Sequence, residues 1–120
     1  HSCAAKLCPH FRNLTDDQIR AMEKRGGWIG VNFYPRFLSP DGKATVKDIV
    51  NHIDHMCQLG ADKHVGFGSD FDGIEVTPDG MEDISKFSLV FDEMRARGYS
   101  DTDIEKVASG NFFRVMQACQ

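Results

Sequence analysis

Two short apolar segments joined by one amphipathic stretch constrain this chain more than any other feature. Trp28-Ile29-Gly30-Val31-Asn32-Phe33-Tyr34 is almost continuous in apolar and β-favouring residues, and His64-Val65-Gly66-Phe67-Gly68-Ser69 follows the same pattern. Neither alternates polar with apolar residues, so each reads as a strand buried on both faces of a parallel sheet. Between them Val46, Ile49, Val50, Ile53, Met56 and Cys57 recur at helical spacing, opened by Thr45 and closed by Gly60. Parallel neighbours need a crossover of this kind, and its expected hand is right.

The flanking segments read as helices. Thr15 and Gln18 form a capping box, with Leu14 and Ile19 as its hydrophobic staple; Ile19 and Met22 face inward and Gly26-Gly27 stop the helix. Pro35 through Gly42, with Pro40 and Asp41-Gly42, reads as a loop. Phe87, Val90, Phe91 and Met94 mark another helix, ended by Gly98. Ser100 and Asp103 cap a last one, with Ile104, Val107, Phe112 and Val115 expected inward and Gly110 as a point of bending or splitting. So many helices on so few strands imply part of an α/β fold, with strands missing on the N-terminal side.

Composition narrows the partners. At 120 residues there is room for one domain, and a net charge of -4 disfavours nucleic acid or an anionic membrane surface, which need concentrated positive charge. No apolar run approaches the ~20 residues of a membrane span. No signal peptide opens the chain, and the expected location is cytoplasmic. The first residue is His1 rather than Met, and the expectation is that a preceding portion was removed or left out. Cys3, Cys8, Cys57 and Cys119 contain no C-x-x-C pair, which disfavours a structural zinc knuckle. Cys57 and Cys119 fall on apolar helical stripes, so the cysteines read as reduced and structural.

The densest chemical signal is Gly66-Phe67-Gly68-Ser69-Asp70-Phe71-Asp72-Gly73. Its glycines admit a close backbone or ligand, and its acids fall where a parallel strand gives way to a loop, the end at which barrels collect catalytic groups. The residues alone leave open a tight turn in which Asp70 and Asp72 only cap loop amides. An EF-hand is excluded because Ile74 and Met81 occupy ligand positions, and a dinucleotide loop because Phe71 stands at the third glycine. His52-Ile53-Asp54-His55 suggests a metal cluster, but its histidines are three apart rather than four. They read as helix-surface residues bonding nearby loops. His1 is a further metal candidate, and Arg12 either binds a carboxylate through its guanidinium fork or is a plain surface arginine.

Together these residues resemble the renal (membrane) dipeptidase family of zinc metallopeptidases. The resemblance runs from His1-Ser2 and Arg12-Asn13-Leu14 through Gly30-Val31-Asn32-Phe33-Tyr34 and His52-Ile53-Asp54-His55. It peaks at Val65 to Gly73 and continues through Asp83-Ile84-Ser85-Lys86-Phe87 to Gly110-Asn111-Phe112-Phe113-Arg114-Val115. It implies a (β/α)8 barrel with two zinc ions at the C-terminal mouth, hydrolysing dipeptides. Residues 1–120 would be the C-terminal part of one such domain, carrying its last two strands. By position His1 looks like the last zinc-ligating histidine, Arg12 like the grip on the substrate carboxylate, and Asp70 like the acid that assists proton transfer. The family's His-x-Asp motif, bridging glutamate and earlier zinc histidine have no counterpart here. The chain alone is therefore expected to be inactive, needing the missing N-terminal part of the barrel or another copy of the chain. The alternative is a non-catalytic barrel fragment that associates through its exposed sheet edge.

Overall fold

A computed structural model describes residues 1–120. Its sheet is parallel: β1 (Ile29–Asn32) pairs with β2 (Val65–Ser69), Ile29 beside Val65 and Gly30 beside Gly66. The register slips between Val31 and Asn32, so that Asn32 lies opposite Ser69. The other edge of β1 is also occupied. Ser2 bridges Val31 in parallel, donating its N–H to the Gly30 carbonyl at 2.9 Å. The sheet thus runs Ser2 segment, β1, β2, a third parallel piece that apolar patterning did not disclose.

The helices are α1 (Asp16–Lys24), α2 (Pro35–Leu38), α3 (Val46–Gln58), α4 (Phe87–Ala96), α5 (Asp101–Glu105) and α6 (Asn111–Ala118). Reciprocal capping boxes open α1 at Thr15 with Gln18, α3 at Thr45 with Asp48, and α5 at Ser100 with Asp103. Each satisfies otherwise orphaned N–H groups and fixes where its helix begins. The crossover from β1 to β2 passes through α3, whose Ile49, Val50, Ile53 and Met56 are fully buried with Val31 and Val65 of the strands and Phe33 just beyond β1. Val90 and Met94 of α4 and Ile104 and Val107 beyond it complete one continuous core.

Glycines set the other surface of the sheet. A Cβ on Gly66 would lie 2.5 Å from the Trp28 indole nitrogen, and one on Gly30 would lie 2.9 Å from the Gly68 backbone. The indole ring therefore packs against β1 and β2 only because those positions carry no side chain.

Several local expectations differ from what the fold shows. Pro35 through Gly42 is not all loop: Pro35 starts the single turn of α2, which buries Phe37 and Leu38. Phe112 is not inward but 43% exposed. The chain passes through a π turn at Lys106–Gly110, whose wider ring rotates the following residues. Asn111 is buried in its place, donating from Nδ2 to the carbonyls of Asp62 and Val65, each at 2.9 Å. Met22 is partly exposed. Cys119 is exposed and Cys57 half-buried, although all four cysteines are free as expected.

His52 lies deep in the core rather than on the helix surface, with no exposed area. The backbone N–H of Ala4 donates to its Nδ1 at 3.0 Å, and its Nε2 lies 2.8 Å from the Leu38 carbonyl. Ala4 can only donate and Leu38 can only accept. The ring is therefore neutral with its proton on Nε2, and it ties the N-terminal segment and α2 to α3.

Candidate functional site

The C-terminal ends of the parallel segments bring three side chains together. β2 ends at Ser69, and the chain then turns through two left-handed residues, Ser69 at φ 34° and Asp70 at φ 71°. Side chains with a Cβ rarely adopt this region, and aspartate tolerates it better than most. The turn aims the Asp70 carboxylate back over the strand ends. Gly73 leaves room for it, because a Cβ there would collide with Asp70 Oδ1.

His1 reaches the same place from the other side. Ser2 is held in the ladder against β1, and the Cβ of His1 lies where a side chain on Gly68 would come within 2.8 Å. Its Nε2 stands 3.9 Å from Asp70 Oδ1. Between them lies Asn32, the last residue of β1, fully buried. The Tyr34 N–H donates to Asn32 Oδ1 at 2.7 Å, while Asn32 Nδ2 lies 3.3 Å from Asp70 Oδ2 and 3.3 Å from His1 Nδ1. The resemblance stretch contains Asn32, yet sequence reasoning gave it no role. A signal existed: a polar residue in a strand buried on both faces must find hydrogen-bond partners.

Arg12 is near but separate. The Ser2 hydroxyl donates to the Arg12 carbonyl at 2.7 Å, which places Arg12 beside the His1 segment. Its guanidinium lies 5.5 Å from the centre of the Phe37 ring, is exposed, and forms no ion pair with Asp70. Of the sequence candidates, His1 and Asp70 meet directly, and Arg12 joins them only through backbone. Asp72 lies in the exposed turn Phe71–Gly73. A cavity of about 540 Å³ opens beside Asp70, bordered by Phe71, Asp83 and Ile84.

The other titratable candidates have structural partners. His55 Nε2 lies 2.8 Å from Asp16 Oδ1 at the start of α1, a hydrogen bond that holds the Asp16 carboxyl below its usual range. Burial lowers the proton affinity of His52, against the opposing pull of the Leu38 carbonyl and Asp48. Burial also raises the Cys3 thiol to about 12, so it stays protonated. Asp54, between the two histidines, accepts from Arg97 Nη1 at 2.7 Å and from the Tyr99 hydroxyl.

No three His, Cys, Asp or Glu side chains lie close enough together to hold a metal ion. Catalytic zinc takes about three protein ligands and structural zinc about four. His1 and Asp70 alone do not complete such a site.

Comparison with known proteins supplies a context. The chain is 38% identical over 122 residues to an uncharacterised dipeptidase of Schizosaccharomyces pombe, covering 100% of this chain and 30% of that protein. It is 37% identical to the dipeptidase aclJ of Aspergillus oryzae, covering 97% of this chain and 28% of that protein. Among solved structures, a metallopeptidase from Rhodobacter sphaeroides, liganded with a phosphinate mimic of the dipeptide L-Ala-D-Ala, superposes with a TM-score of 0.91. It is 33% identical, and the match covers 98% of this chain and 34% of that one. The chain thus spans about a third of the length of these relatives. The model of the membrane dipeptidase family, peptidase family M19, matches residues 1–120. From His1 to Gln120, this chain belongs to the membrane dipeptidase family.

Proposed function

We propose that these residues form the C-terminal part of a (β/α)8 barrel whose intact protein is a zinc-dependent dipeptidase. In this reading β1 and β2 are the last two barrel strands, and Ser2 is the end of the strand before them. The observation that carries the proposal is the convergence of His1, Asn32 and Asp70 at the C-terminal ends of adjacent parallel segments. Barrel enzymes assemble their chemistry at that end. The dipeptide mimic bound by the Rhodobacter sphaeroides neighbour supports dipeptides as the substrate class.

Each residue then has a task set by its chemistry. The exposed Arg12 fork suits a dipeptide's terminal carboxylate, which it would bind through two parallel N–H donors. Asp70 accepts a proton at Oδ1, since its Oδ2 is engaged by Asn32, and delivers it to the departing amine. His1 contributes one imidazole ligand, the remaining ligands belonging to earlier parts of the barrel. Zinc, when bound, would supply an acidified water and a polarised carbonyl.

The test is to produce the protein with the preceding portion of its barrel and measure zinc content and hydrolysis of dipeptides, L-Ala-D-Ala among them. Zinc-dependent turnover is expected from the completed protein and none from residues 1–120 alone. A completed, zinc-loaded protein that hydrolyses no dipeptide overturns the proposal. Turnover by the 120-residue chain alone would show that its site is not partial.

A further inference from the structure

The carboxamide of Asn32 is a buried polar group whose partners all gather at the strand ends. It is fully buried at the end of β1, where the slip in register between Val31 and Asn32 separates it from the regular ladder. Its orientation is fixed without reference to the site. The Tyr34 N–H can only donate, so the amide oxygen must face it, at 2.7 Å. The amide nitrogen is thereby aimed the other way, where the Asp70 carboxylate accepts from it. Asp70 Oδ2 and His1 Nδ1 each lie 3.3 Å from it.

We infer that Asn32 is a positioning residue: its amide nitrogen holds the Asp70 carboxylate by Oδ2, leaving Asp70 Oδ1 free for proton transfer. This rests on the dipeptidase reading given above. A carboxylate with one oxygen tethered has one rotational setting, and a side chain buried in a strand is a firmer anchor than one on a loop. Asp70 needs such an anchor, because it lies in left-handed backbone one residue beyond the end of β2. No other side chain donates a hydrogen bond to Asp70, whose remaining polar neighbour is the His1 ring at 3.9 Å.

The experiment uses the completed, zinc-loaded protein with three variants: Asn32→Asp, Asp70→Asn and the pair together. Asn32→Asp keeps the size of the side chain and an oxygen for the Tyr34 N–H, but replaces both donors by negative charge facing Asp70. The expected result is a fall in kcat of at least tenfold with KM within twofold, because Arg12 is untouched. The double variant is expected to be no slower than Asp70→Asn within threefold, since Asn32 acts through Asp70. A smaller loss of kcat, or losses that multiply in the double variant, would overturn the inference. A readout independent of turnover is the Asn32 side-chain amide resonance pair in nuclear magnetic resonance. It is expected to shift on Asp70→Asn, and an unchanged pair would refute the contact. If the parent protein hydrolyses no dipeptide, the dipeptidase reading falls, and the resonance measurement alone decides whether Asn32 holds Asp70.

Discussion

Replacing His52 by leucine tests whether one neutral imidazole secures the N-terminal segment to the rest of the fold. In the native chain Nδ1 receives the Ala4 N–H and Nε2 serves the Leu38 carbonyl, with no exposed area on the residue. Leucine fills similar space but leaves both backbone groups buried without partners. Each of the two orphaned groups costs about 1–3 kcal/mol, so the expected loss is roughly 2–6 kcal/mol. Asparagine at the same position places an amide oxygen near Nδ1 and should recover about half of that loss.

The same residue gives the stability a pH dependence with a defined sign. Protonating Nδ1 would set two N–H groups against each other, and burial further disfavours the charged ring, so the folded-state value lies below the ordinary 6.5. Between those values the unfolded chain binds more protons than the folded one, and stability rises with pH. The contribution of neutral His52 is therefore complete above 6.5 and is lost as pH falls from 6.5 toward the depressed folded value. One proton allows a slope of at most ~1.4 kcal/mol per pH unit. The assay is urea unfolding of the protein and its His52→Leu variant from pH 7.5 to pH 5, taking the difference at each pH. That difference should shrink as the solution is acidified. A loss below 1 kcal/mol at pH 7.5, or a difference that grows on acidification, would refute the bonding pattern assigned to His52.

Four further outcomes are expected. Gly30→Ala should destabilise the protein by ~1–3 kcal/mol in thermal unfolding, because its Cβ meets the Gly68 backbone at 2.9 Å and backbone cannot rotate away. Gly66→Ala meets the movable Trp28 ring instead, so pairing it with Trp28→Ala should cost less than the two single losses combined. Arg97→Ala should cost ~1–3 kcal/mol, since Arg97 joins α4 to α3 through Asp54, Asn51 and the Lys47 carbonyl, and removing it strands a partly buried carboxylate. In the completed enzyme Arg12→Ala should raise KM for dipeptides by at least tenfold with little change in kcat, measured by steady-state kinetics.

Much of this architecture follows from local chemistry. Thr15, Thr45 and Ser100 each announce a helix start through side chains that bond their own helix, and all three caps form. β1 and β2 were legible because continuous apolar runs suit a sheet covered on both faces. What escaped was set by long-range geometry. Nothing near Ser2 says that it lies in a ladder with Val31, since one residue of strand carries no pattern. Phe112 was placed inward by counting at helical period, and the π turn at Lys106–Gly110 breaks that count. His52 was expected on the surface because its partners, Ala4 and Leu38, are far away in sequence. For the site, His1, Arg12 and Asp70 were singled out from a resemblance, and Asp70 also from its place at a strand end. Asn32 was legible only as a buried polar residue, and its partners required the fold.

The left-handed pair Ser69 and Asp70 sets stability and chemistry against each other. Glycine occupies that backbone region without strain, so Asp70→Gly should make the turn more comfortable while deleting the proposed proton carrier. A laboratory selection for heat resistance alone, with no demand for turnover, would therefore drift toward glycine at this turn. Recovering aspartate there under such conditions would indicate that the carboxylate's bond to Asn32 outweighs the cost of its backbone.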